Sequence, residues 1–233
     1  MRTETDKRLF LHEEVLLLAL QDEKGVVAFG TMCEQVLGGA MLAELLLQGK
    51  VVLEQSGRKK LVVSADGEFL GDPLLDECLT MIDDEKKMSV PQAWVSRFAG
   101  IKELKYRTAR TLCRRGVLRE DEEQILLIFS RRVYPEVNPL PEREIIERLR
   151  QAIFSDTNEL DPRTIVLIAL ADGAGLLSAA FDRRELKSRK SRTKMIVDGD
   201  IVGQATQEVI QFMQAAATIA AIMPIMTMTA INS

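Results

Sequence analysis

The sequence predicts a mainly α fold: a compact multi-helix globule with two small β-hairpins, each attached to a helix in a winged-helix-like unit. Three observations lead there. Apolar residues recur at helical spacing along most of the 233-residue chain. Pro73, Pro91, Pro141 and Pro162 stand at the head of such stretches, where a first-turn residue needs no amide donor. Gly49 and Gly116 each end a helical stretch, at a position suited to a helix C′ glycine, and lead into a pair of short apolar runs.

Leu9, Val15, Leu16, Leu17 and Leu20 form the first helical stripe, which the turn Asp22-Glu23-Lys24-Gly25 stops. A second helix is expected from about Thr31 to Gln48. Gly49 follows, then a hairpin of Val51-Val52-Leu53 and Leu61-Val62-Val63 around Gln55-Ser56-Gly57-Arg58. After helices from Pro73 to Asp83 and from Pro91, the same order returns. It comprises a helix from about Ile101 to Arg115, Gly116, and Val117-Leu118 with Ile125 to Phe129 around the acidic turn Glu120-Asp121-Glu122-Glu123. Further helices are expected at Pro141–Phe154, Pro162–Leu170, Leu176–Leu186 and Thr206–Met223. Residues 1–8 are read as a flexible N-terminus, 9–223 as one helical domain and 224–233 as a tail. Leu16, Leu45, Leu75, Leu112, Leu167 and Ile210 are placed in the core.

Composition narrows the function. With 46% hydrophobic and 28% charged residues, the chain is neither disordered nor stapled by disulfides. Cys33, Cys78 and Cys113 form no CxxC pair, suit a reducing compartment and lack zinc-ligand spacing, so no metal is expected. His12, the one histidine, is expected to be solvated or half-buried. Neighbouring helix residues point to different faces, so neither Glu13-Glu14 nor Asp76-Glu77 makes an acid–base dyad. The sequence contains no GxSxG, GxxxxGK[ST] or HExxH, so neither catalysis nor a cofactor is expected. The helix expected at Thr31–Gln48 has no basic residue to meet phosphates or base edges, which argues against nucleic acid. The charged opening is no secretory signal. Val209 to Ser233 carries no charge, yet is rich in Ala, Thr and Gln and broken by Pro224; a buried helix ending near Met223 is expected rather than a membrane anchor.

Charge is unevenly distributed. The net charge is −4, but residues 183–194 hold seven basic side chains (Arg183, Arg184, Lys187, Arg189, Lys190, Arg192 and Lys194) against one acid. Such a run is either a solvated loop or a patch that draws an anionic surface, at roughly 1 kcal/mol per basic residue close to it.

Five stretches in register carry a resemblance. Leu9-Phe-Leu-His-Glu-Glu-Val-Leu-Leu-Leu-Ala-Leu20, Gly38-Gly-Ala-Met-Leu-Ala-Glu-Leu45, Gly71-Asp-Pro-Leu-Leu-Asp-Glu-Cys-Leu79, Arg114-Arg-Gly-Val-Leu118 and Asp161-Pro-Arg-Thr-Ile-Val-Leu-Ile-Ala-Leu-Ala171 together resemble the Golgi phosphoprotein 3 family, from about residue 9 to 223. The resemblance implies a helical domain with a hairpin that binds phosphatidylinositol 4-phosphate on Golgi membranes. Such a protein gathers glycosyltransferases by their cytosolic tails, and is an adaptor rather than an enzyme. The chain lacks the long polar N-terminal extension of eukaryotic members and looks like a shorter prokaryotic relative.

The family's head-group pocket joins a tryptophan and an arginine from the first helix unit to two basic residues three apart in the second. Aligned on Phe29 and Cys33, the tryptophan position falls on Gly30. Aligned on Met41, the arginine position falls on Gly38. Counted back from Gly116, the basic pair is Lys102 and Lys105. Two lysines at i and i+3 share a helix face near its N-terminus and attract phosphate, or else they merely solvate a helix end. Without the ring and the guanidinium fork, discrimination among phosphoinositides is expected to be weak. The family's hairpin contact falls on Ile125 and Leu126, beside the four acids, which favours packing against protein, in this chain or a second copy. The expected protein is therefore non-catalytic, cytoplasmic and peripheral on the cytosolic face of a membrane. It would bind anionic lipids and client tails, with a soluble interaction module or dimer as the alternative.

Overall fold

Nine consecutive residues, Leu11–Ala19, form helix α1, and all nine are buried. Six of the nine are apolar, and α1 is packed on several sides by the rest of the chain. The structure, a computed structural model, describes residues 8–21, 25–27, 33–65, 67–85, 87–125 and 129–199. Its α-helices beyond α1 are α2 (Cys33–Leu47), α3 (Pro73–Asp83), α4 (Pro91–Ala99), α5 (Leu104–Arg114), α6 (Leu140–Phe154), α7 (Pro162–Gly173), α8 (Leu177–Ala180), α9 (Arg183–Ser188) and α10 (Lys190–Asp198). Helices α2, α5, α6, α7 and α8 all contact α1.

The fold is mainly α, as the periodicity predicts. Proline at the first turn and an aspartate N-cap set two helix starts: Asp72 accepts from the amides of Leu74 and Leu75 at α3, and Asp161 from that of Thr164 at α7. Leu16, Leu45, Leu75, Leu112 and Leu167 are fully buried, each contributing roughly 1.5–3 kcal/mol. Ile210, the helix expected at Thr206–Met223 and the tail 224–233 lie outside the described residues.

The repeated helix–glycine–hairpin unit is real. Gly49 and Gly116 have φ of +65° and +72°. After each, an amide reaches back five residues, Lys50 to the carbonyl of Leu45 and Val117 to that of Leu112, which satisfies the last turn of the helix. The first wing is β3 (Val51–Ser56) against β4 (Lys59–Ser64), following a smaller ladder of β1 (Leu20–Gln21) and β2 (Val26–Val27) that flanks the expected 22–25 turn.

The second wing corrects the sequence reading. Its strands are β5 (Asp121–Ile125) and β6 (Phe129–Val133), so Asp121 to Glu123 lie in a strand rather than a turn. Glu122 pairs across the ladder with Arg132 and Glu123 with Arg131, and opposite charges facing each other favour that register. Val117 and Leu118 are buried core residues, Leu118 making an isolated bridge to Glu136. Two further departures concern the C-terminal half. The helix expected at Leu176–Leu186 breaks at buried Phe181, after which Asp182 caps α9. The basic run 183–194 is helical, not a loop.

The largest departure is at the start of α1. His12, Glu13 and Glu14 are all buried, whereas a solvated or half-buried histidine is expected from the sequence. The Glu13 carboxylate accepts from Arg115 at 2.9 Å and from the Phe10 amide at 2.9 Å. Glu14 pairs with Arg148 at 2.9 Å and with Arg163 at 3.4 Å. Glu44, from α2, accepts from the Leu11 amide at 2.7 Å, from Gln48 at 2.8 Å and from Arg163 at 3.0 Å. Arg163 in turn donates to the Leu9 carbonyl, and Arg115 to that of Arg8. Three carboxylates thus meet three guanidinium groups carried by α6, α7 and the end of α5. The positive end of the α1 dipole adds to the hold on Glu13 and Glu14. Beside them, His12 stacks on Phe10 and stands 3.7 Å from Asp72.

Removing one member of such a cluster strands a buried charge. Glu44→Ala should lower the free energy of unfolding by about 3–5 kcal/mol, whereas the double change Glu44→Leu with Arg163→Met should lose less; urea denaturation of both variants checks this. Burial also pushes the Glu13 carboxyl above its ordinary value of 4.5, outweighing the lowering by His12 and Arg115. A proton held more tightly in the folded state stabilises at low pH, and that contribution is lost as pH rises through the folded value. Relative to Glu13→Gln, the natural chain should therefore lose stability as pH rises above 4.5; urea midpoints of the two proteins over a pH series measure it, and a natural chain that gains on the variant as pH rises counts against it.

Candidate functional site

Helix α5 begins at Leu104, three residues later than the periodicity suggests. Glu103 precedes it with φ of +57°, a left-handed conformation rare for a side chain with a Cβ. Lys102 therefore stands in the turn before the helix, not on a helix face shared with Lys105. The turn, rather than helical spacing, determines how the two lysines relate. Lys102 is exposed and Lys105 half-buried. The Lys105 ammonium lies 4.8 Å from the ring centre of Tyr106, and the Arg132 guanidinium 5.0 Å from the same ring. Lys105 is also near enough to Cys33, at the start of α2, to act on its thiol, although burial dominates there and pushes that thiol up to about 12.

The surrounding charges are mostly spent. Arg107 pairs with Glu77, and Arg110 at 3.0 Å and Arg132 at 3.4 Å share Glu103. The hydrogen bond from Arg110, with Arg132 behind it, holds the Glu103 carboxyl below the usual carboxylate range. Lys102 and Lys105 make no ion pair among the described residues, so they are the cations at this end of α5 left to meet an external anion. Sequence reasoning missed Tyr106, Arg132 and Glu103. Tyr106 adjoins Lys105 in the sequence, but the approach of Arg132 from β6 depends on the fold.

Gly30 lies outside the described residues. Gly38 does not: it sits in α2 where that helix crosses α4, and a Cβ there would come within 2.7 Å of the Val95 carbonyl oxygen and 2.9 Å of the Ala99 nitrogen. The glycine is required by the helix contact. The chain's one tryptophan, Trp94, is buried in α4 against Phe98, with Arg97 4.6 Å over its ring.

The basic segment divides into two roles. Arg189 donates to the Phe154 carbonyl at 2.8 Å and pairs with Asp156; Arg192 donates to the carbonyls of Ala152 and Thr157. These two arginines satisfy the carbonyl end of α6 and the turn after it. Arg183, Lys187, Lys190 and Lys194, spaced four, three and four residues apart, instead line an open groove of about 730 Å³ floored by Leu177, Leu186 and Val197. Arg184 is exposed. On the second wing, Ile125 pairs with Phe129 at the ladder's end, while Leu126 lies outside the described residues. The wing's acids face arginines, and Arg131 holds Glu123 directly.

Among the described residues no group of three or more His, Cys, Asp or Glu side chains is placed to hold a metal ion, and no helix is long and apolar enough to cross a membrane.

A family model, Golgi phosphoprotein 3 (GPP34), matches residues 11–213. Vacuolar protein sorting-associated protein 74 of Schizosaccharomyces pombe is 27% identical over 219 aligned residues, covering 80% of this chain. The chain spans 64% of that relative's length.

Restoring an arginine at Gly38 should not rebuild a head-group pocket. Gly38→Arg, and already Gly38→Ala, should lower stability by about 1–3 kcal/mol because α4 backbone occupies the space; thermal melts of the two variants decide this, and an unchanged melt for Gly38→Ala would contradict it.

Proposed function

Since the chain belongs to the Golgi phosphoprotein 3 family, we propose that it is a non-catalytic adaptor that binds anionic phospholipid head groups at a membrane surface, with Lys102 and Lys105 as the first contacts. The observation that carries this reading is the charge state of the α5 start. Arg107, Arg110 and Arg132 are each held by a carboxylate, and the two lysines are not. A lysine acts on a phosphate as a point charge, without the bidentate geometry of arginine. With Gly38 committed to the helix crossing, the site ranks lipids mainly by charge. Phosphatidylinositol 4-phosphate, the lipid that the family resemblance implies, is favoured by only a small factor.

The groove lysines of α9 and α10 add non-specific attraction for the same surface. Binding is on the cytosolic face, client proteins are engaged through their cytosolic tails, and the second wing, with Ile125 and Leu126 at its end, contacts protein, including a second copy. The alternative, a soluble interaction module that has lost lipid binding, draws on Gly38, where the α4 backbone leaves no room for the family's arginine.

Flotation with anionic liposomes tests the reading. Binding should weaken with salt, since exposed charges are screened over about 8 Å at physiological ionic strength. Lys102→Glu with Lys105→Glu should abolish flotation with the melting curve unchanged. Replacing Arg183, Lys187, Lys190 and Lys194 by Gln should weaken binding to all anionic lipids alike. Flotation of the double variant at the natural level, at low salt, would remove the two lysines from the mechanism and leave the interaction-module reading ahead.

A further inference from the structure

At the opposite end of α5, about 13 Å from Lys105 along the helix, a second basic feature borders a true cleft. Its volume is about 460 Å³, and it lies between the start of α1, the end of α2, the start of α3 and the end of α5. Arg8, Arg114, Arg115 and Arg163 line it, with apolar wall from Phe10 and Leu70. We propose that this cleft binds a phosphate monoester dianion carried on a small organic or lipid body, at a site separate from Lys102 and Lys105.

The charges of the lining separate into spent and unspent. Arg115 is held by Glu13, and Arg163 by Glu44 and Glu14. The oxygens of Glu44 are taken up by the Leu11 amide, Gln48 and Arg163. Asp72, the other acid of the lining, gives Oδ1 to the amides of Leu74 and Leu75, where its charge complements the α3 dipole. Two guanidinium groups remain. Arg8 and Arg114 make no ion pair among the described residues, and Arg114 donates to the Thr111 hydroxyl at 2.9 Å. Two positive charges, both on donors, are therefore unpaired in the cleft, beside an Asp72 carboxylate bonded through Oδ1. A phosphate monoester brings about two negative charges near neutral pH and three acceptor oxygens, and the guanidinium fork suits that group.

The walls argue for a body beyond the phosphate. The volume falls within the roughly 300–1,000 Å³ of small-molecule sites, and Phe10 and Leu70 offer apolar contact beside the arginines. Arg115 also has a fixed place, because it donates to the Arg8 carbonyl at 2.8 Å. That bond anchors the backbone which carries the Arg8 side chain, so one of the two free cations is held at the cleft by the buried network.

The test uses the full chain and three probes: inorganic phosphate, glycerol 3-phosphate, and phosphatidylcholine vesicles containing phosphatidic acid. Sodium chloride at matched ionic strength is the control. A saturable rise in melting temperature with the soluble probes supports a free phosphate ester as ligand; vesicle binding without that rise supports a lipid head group. In either case Arg114→Gln and Arg8→Gln should weaken the response roughly tenfold to a hundredfold, and Arg114→Lys less. Arg114 is exposed, so these variants should melt as the natural chain does without ligand. Lys102→Glu with Lys105→Glu should leave the response to phosphate intact, which keeps this site distinct from the lipid reading above. No response beyond the chloride control, a response undiminished in Arg114→Gln, or a response to the soluble probes lost with the two lysines would overturn the proposal.

Discussion

Five of the described helices meet around a charged cluster in a place that ordinarily excludes charge. Glu13 and Glu14 at the start of α1 and Glu44 from α2 are buried, and each is answered by an arginine from another helix. The partners lie 102, 134 and 119 residues apart in the sequence. Apolar packing would hold the helices together in several registers, since it is not directional. Carboxylate–guanidinium pairs accept far fewer arrangements, because leaving one unmade in the interior is costly. The cluster thus fixes α1, α2, α5, α6 and α7 relative to one another, and it ties down the backbone of residues 8–11 through the bonds to Arg8, Leu9, Phe10 and Leu11.

Helix α5 transmits that constraint to the surface. Its buried side, Leu104, Thr108, Ala109 and Leu112, faces the core. Its C-terminal neighbour Arg115 joins the charged cluster, and its N-terminal side presents Lys105 beside Tyr106. The two ends differ in kind: a turn with two unneutralised lysines at one, a cleft with arginines at the other. The cysteines nearest this region, Cys33, Cys78 and Cys113, are held as thiols by burial.

Much of the architecture was legible from local chemistry. Pro73 after Asp72, Pro162 after Asp161, and Gly49 and Gly116 mark helix ends by requirements of the backbone alone, so their signals survive in the sequence. The wing strands were harder, because Asp121 to Glu123 make poor strand residues until Arg131 and Arg132 stand opposite. The burial of His12, Glu13 and Glu14 was not legible at all: adjacency within a helix reveals the faces those side chains take, but not the arginines that arrive from over a hundred residues away. At the candidate site, counting from Gly116 located Lys102 and Lys105. Their geometric relation was misread, since nothing local announces that Glu103 adopts a left-handed conformation. Gly38 was legible as a glycine but not as a helix contact.

Arg189 and Arg192 give the basic segment a property that its composition conceals. By donating to the carbonyls at the end of α6 they fasten α9 and α10 to the body of the protein. A polybasic stretch on a free chain rearranges its charges to suit whatever anion it meets and surrenders that freedom on contact. Here Arg183, Lys187, Lys190 and Lys194 are carried on short helices already anchored, so the backbone would lose little entropy on meeting a charged surface. The same anchoring removes adaptability: the array presents one spacing and one curvature, and a surface that does not match them meets only some of its charges.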